Sequence, residues 1–79
     1  MINFGVMKLR VKKYAILIGE LQSRLNLNQA QLAQRVGTTT LSLSRWKHGH
    51  TTPSPMAIAL LKKAVEDLGD RGKDLHQYF

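Results

Sequence analysis

Between Gln29 and Gly49 the chain reads QAQLAQRVGTTTLSLSRWKHG, a run rich in hydroxyls and cations with no carboxylate. The spacing predicts two short helices joined by a glycine-centred turn. The second would carry Thr and Ser hydroxyls and a guanidinium outward. Donors held on an exposed helix suit an anionic, acceptor-rich partner, which makes this stretch a candidate DNA-reading unit.

Other chemistries find little support. The chain has no cysteine, so neither a disulfide framework nor a thiolate metal site is available. His48 and His50 flank a loop glycine with no carboxylate nearby, a poor donor set for a metal. His76 sits in a polar tail without a Ser-base-acid arrangement, and there is no Gly-rich phosphate loop. Catalysis, a bound metal and a cofactor are therefore not expected.

The elements that must position the Gln29–Gly49 unit have to be economical. A chain of 79 residues forms one compact domain that buries only about 60 to 65% of its unfolded surface. Hydrophobic residues make up 43% but only five are aromatic, so the filling is mostly aliphatic and suits helix packing. No apolar run approaches the roughly 18 residues of a membrane span, and no signal-peptide pattern opens the chain. A soluble, cytoplasmic protein is expected. The net charge of +7 is uneven. Residues 1–64 hold ten Lys and Arg against Glu20 alone, whereas residues 65–79 hold Arg71 and Lys73 against four acids. That asymmetry is the electrostatic footprint of a nucleic-acid binder.

Residues 1–11 admit two readings. Met7, Leu9 and Val11 alternate with Lys8, Arg10 and Lys12 as a half-buried strand would, yet Met7, Val11, Tyr14, Ile18, Leu21 and Leu25 also form a helical seam. We expect an extended arm to about Val11, with the first helix running from about Lys12 to Leu25. Gly19 within it suggests a neighbouring helix packed close. Asn26 suits a left-handed helix end. Asn28 and Gln31 form a capping box, flanked by Leu27 and Leu32 as a staple, so a second helix should run from Gln29 to about Val36 and stop at Gly37. Thr39 caps a third, Thr40 to about His48, with Leu43 and Trp46 facing inward and Thr40, Leu41, Ser44, Arg45 and Lys47 outward. Ser54 and Pro55 open a fourth that ends near Leu68, with Met56, Ala57, Leu60, Leu61, Ala64, Val65 and Leu68 on its apolar face. Residues 12–69 would then be the domain and 70–79 a tail, with one more helical turn near Lys73–Gln77.

Gln29, Leu32, Ala33, Gly37, Thr39, Leu43, Ser44, Trp46, Gly49 and Pro53 together resemble the helix-turn-helix of phage repressor and Cro proteins and of the bacterial xenobiotic-response-element family. The resemblance covers Leu25–Pro53 closely and Met56–Leu68 in character. It implies an all-α, lambda-repressor-like domain of four or five helices with a short N-terminal arm. It also implies that the third helix enters the major groove, with Thr40, Leu41 and Arg45 at base edges. Gln29, Thr38, Thr39, Ser42, Ser44, Lys47, His48 and His50 would then meet the DNA backbone. Where the family commonly has an acid after the aromatic, paired with an arginine in the first helix, this chain has Lys47 and Gln22, which puts the contact between the first and third helices in question.

The expected activity is specific binding of a palindromic double-stranded operator by a homodimer acting as a transcriptional regulator, in the repressor sense. The arm (Ile2, Phe4, Val6) and the end of the fourth helix with Tyr78 and Phe79 are the candidate dimer surfaces. Two other readings fit the same residues. One is an antitoxin-type or phage-type regulator that also grips a protein through its arm or tail. The other is a protein or RNA interaction module that does not bind DNA.

Overall fold

A computed structural model describes the backbone from Phe4 to Phe79 and the side chains from Val11 onward. Four α-helices, α1 (Phe4–Leu25), α2 (Gln29–Val36), α3 (Thr40–Lys47) and α4 (Pro55–Asp67), are followed by a 3₁₀ segment, Gly69–Tyr78, with no strand among the described residues. The architecture is all-α, as the spacing implied.

Helix α1 departs from expectation by starting at Phe4, so residues 4–11 are helical where an extended arm was anticipated. Of the two periodicities open to that stretch, the helical seam is the one adopted. Its continuation, Tyr14, Ile18 and Leu21, is buried together with Leu17, and propagating a helix already nucleated by packing costs little. Gly19 was expected to admit a close neighbour, yet a β-carbon there would have nothing within 4 Å. The dimer surface suggested at Ile2, Phe4 and Val6 lies outside the described side chains.

Local signals close the helices where the sequence placed them. Asn26, at φ 54°, ends α1 in a Schellman motif, with its N–H donating to Ser23 O and that of Leu27 to Gln22 O. The Asn28 and Gln31 side chains cap each other's backbone amides at 2.8 and 2.9 Å. Gly37, at φ 89°, turns the chain out of α2, a conformation that an L side chain adopts only with strain. Ser54 caps α4 through the Ala57 amide, with Pro55 in its first turn.

One core joins all the elements. Leu32, Ala33 and Val36 of α2, Leu43 and Trp46 of α3, and Leu61, Ala64 and Val65 of α4 share one buried cluster with the α1 seam. Ala33 is 1% exposed, and that confinement is why a small residue stands there. Met56 was expected on the apolar face of α4 but is 77% exposed. At 100° per residue it falls to one side of the buried stripe formed by Ala57, Leu61, Ala64 and Val65.

The last ten residues are no loose tail. They pack against α1 and α4, and Leu75 is fully buried. A β-carbon on Gly72 would come within 2.7 Å of Val65 O, so only glycine permits that approach. Tyr78 and Phe79, suggested above as dimer surface, are half-buried against the molecule's own core. Arg24 of α1 holds the segment down, donating to both Asp74 carboxylate oxygens at 2.5 and 2.8 Å.

Candidate nucleic-acid interface

The second and third helices form a rigid unit because both ends of α3 are closed. At its start, Thr39 Oγ1 accepts from the Ser42 amide at 3.0 Å and donates to Ser42 Oγ at 3.0 Å. This leaves the Thr40 and Leu41 amides among the donors that helix geometry leaves unpaired within the helix. At its end, the Gly49 N–H donates to Trp46 O and that of His50 to Arg45 O, a Schellman motif around Gly49 at φ 76°.

Leu43 and Trp46 bury the inner face of α3. At 100° per residue, Leu41, Ser44, Arg45 and His48 share the opposite face at i, i+3, i+4 and i+7. Leu41 is 61% exposed, Thr40, Arg45 and His48 are exposed, and Ser44 is half-buried. Lys47 is half-buried where full exposure was expected. The helix itself ends at Lys47, with His48 as its cap.

The remaining residues singled out from the sequence fall into separate places. Thr38 and Ser42 line a cleft with Trp46, Met56 and the start of α4. Lys47 and His48 line another with Val11, Lys12 and Ala15 of α1. Gln29 stands half-buried at the first residue of α2 and shares neither cleft. Thr39 is exposed, but its hydroxyl is occupied by the cap. The imidazole rings of His48 and His50 stack with centroids 6.4 Å apart and planes 12° from parallel. Lys12 was anticipated only in the strand-like alternation and as the approximate start of the first helix. Its place beside Lys47 follows from the helical course of residues 4–11, which the strand-like alternation obscured.

The contact between α1 and α3, put in question by Lys47 and Gln22, is made without an ion pair. A β-carbon on Gly49 would lie 3.1 Å from Val11 Cγ1, so the end of α3 rests directly on α1. Gln22 Oε1 is buried without a hydrogen-bond partner among the described residues.

Charge is sorted as well. Arg24 pairs with Glu20 and Asp74, and Arg35 with Asp67 at 3.6 Å. Arg71 donates to a backbone carbonyl. Arg45 and Lys47 have no acidic partner among the described residues, so their charge is available on the α3 side. A hydrogen-bonded guanidinium and the nearby charge hold the Asp74 carboxyl below the usual carboxylate range.

A family model described as helix-turn-helix matches residues 20–65, more than half of the chain. The chain belongs to the helix-turn-helix family. No curated protein and no solved structure matches it. This helix-turn-helix protein carries a Cro- and repressor-like DNA-binding domain of the kind found in transcription regulators. The match leaves out most of α1 and all of the 3₁₀ segment, yet Tyr14, Leu17, Ile18 and Leu75 from those parts complete the core. Among the described residues no helix is long and apolar enough to cross a membrane.

Proposed function

We propose that this helix-turn-helix protein is a repressor-type regulator that binds a palindromic operator as a homodimer, with α3 in the major groove. Thr40, Leu41 and Arg45 read base edges. Gln29, Thr38, Thr39, Ser42, Ser44, Lys47, His48 and His50 meet phosphates and sugars, helped by the open amides at the start of α3.

One observation carries the reading. Arg45 is exposed on the face opposite Leu43 and Trp46 and is paired with no carboxylate among the described residues, unlike Arg24 and Arg35. A guanidinium on a locked helix is arranged to donate two parallel bonds to guanine O6 and N7. Dimerisation follows from size: one such domain covers too little DNA for tight specific binding, and two bound about 34 Å apart read both half-sites.

Gel shifts on the protein's own promoter at several salt concentrations test the reading. Neutralising about six phosphates gives a log-log salt slope near −5, and the promoter should outcompete random duplex. Equal affinity for both would reject a specific regulator.

A further inference from the structure

The stacked imidazoles at the end of α3 offer a property that helix-turn-helix membership does not supply. His48 Nδ1 lies 3.1 Å from Ser44 O, a carbonyl that already accepts the His48 backbone amide at 2.9 Å. A carbonyl only accepts, so this contact is a hydrogen bond where Nδ1 carries the proton. In the neutral ring Nε2 is then a bare lone pair. A phosphate oxygen also only accepts, and a lone pair cannot bond it. Nε2 becomes a donor only in the imidazolium.

The surroundings fit a switch driven by DNA. From α1 the ring's cleft receives Lys12, with Val11 and Ala15 apolar, and from α3 it receives Lys47. Arg45 lies one turn back on the same face of α3, and His50 stacks from the following loop. Among the described residues no carboxylate lines this cleft. Every charged side chain lining it is thus a cation, the arrangement that suits a polyanion. The His50 ring, stacked with its centroid 6.4 Å away, is the other titratable group beside it. Gly49, whose left-handed turn brings His50 back over His48, is what couples the two rings.

We propose that His48 makes DNA binding proton-linked: each protomer takes up one proton at the His48–His50 pair, which lets Nε2 of His48 donate to a backbone phosphate. Rising pH through the imidazole range therefore weakens binding. This rests on the DNA-binding reading above.

The test uses a duplex enriched from a random library by the wild-type protein at pH 6.0, with affinities measured at constant salt from pH 5.5 to 8.5. Wild-type affinity should fall with a slope approaching tenfold per pH unit per protomer above about pH 6.5. H48Q, whose amide donates without taking up a proton, should show a flat profile at that position and bind more tightly than wild type at pH 8. H76Q, in the 3₁₀ segment, should keep the full slope, and thermal melts establish that both variants fold. Wild-type binding independent of pH, or an unchanged slope in H48Q, would overturn the proposal while leaving DNA binding intact. Failure to enrich any duplex at pH 6.0 would instead count against the DNA-binding reading and remove the ground of this one.

Discussion

Arg24 and Arg71, from the last turn of α1 and the 3₁₀ segment, each donate a guanidinium N–H to the other's backbone carbonyl, at 2.8 and 2.5 Å. Two cations tolerate this approach because Asp74 accepts from both Nη1 and Nη2 of Arg24 and Glu20 accepts from its Nε. The Arg71 guanidinium in turn satisfies the Arg24 carbonyl in the last turn of α1, where a helix leaves acceptors unpaired. The clamp joins residues 47 to 50 positions apart in sequence.

Acid should loosen this clamp. Asp74 has its carboxyl lowered by the Arg24 hydrogen bonds, so the stability it contributes is present above its unfolded value near 4 and is lost as pH falls through the lower folded value. Urea unfolding midpoints of wild type and D74N, followed from pH 6 to 2.5, should differ at pH 6 and converge at the acid end. Curves that coincide at every pH would show that the pair contributes nothing.

Packing of the 3₁₀ segment predicts a larger effect. Leu75→Ala removes a fully buried side chain and should cost about 2 to 5 kcal/mol. Gly72→Ala places a methyl group against Val65 O and Leu68 Cβ, at 2.7 and 2.9 Å, and should cost about 1 to 3 kcal/mol. Both are read from chemical denaturation. Wild-type stability in either variant would mean that the segment is dispensable.

Gly19 predicts the opposite sign. It lies inside α1 with open space where a β-carbon would go, so Gly19→Ala should stabilise the protein by about 0.5 to 1 kcal/mol through helix propensity. A rise in thermal midpoint is expected with DNA affinity unchanged. A fall would reveal a neighbour, such as a second copy, packed on that face.

These residues also show what the sequence made legible. The Asn28–Gln31 box, Gly37, Thr39 and the Ser54–Pro55 start are signals written within four residues of the helix ends they set, and each end stands within a residue or two of its expected place. The anchoring of α3 by Leu43 and Trp46, three apart, was legible for the same reason. Residues 4–11 were not, because Met7 and Val11 satisfy two periods at once and only the packing of Tyr14 and Leu17 further along decides between them. The 3₁₀ segment was legible only as one turn near Lys73–Gln77, because its anchors, Arg24 and Val65, belong to other helices. Met56 misled because a helical stripe does not reveal where the core beneath it ends. At the candidate interface the outward face of α3 was readable, but the Nδ1 contact of His48 and the nearness of Lys12 depend on a turn and a helix start that local pattern left open.

Lys47 and Arg45 should separate in binding assays. On the proposed contact of Lys47 with the DNA backbone, Lys47→Ala should weaken binding to all duplexes alike and reduce the salt slope by about 1. A change in sequence preference would move Lys47 among the base-reading residues.

The central claim is that α3 reads base edges through Arg45. Enrichment of duplexes from a random library by wild type and Arg45→Ala, with circular dichroism to establish that both fold, tests it most directly. Wild type should enrich a two-fold symmetric motif, and the variant the same motif with one base pair in each half-site relaxed, a loss of about 1 to 3 kcal/mol of discrimination there. An identical motif from the folded variant, or no motif from wild type, would contradict the account.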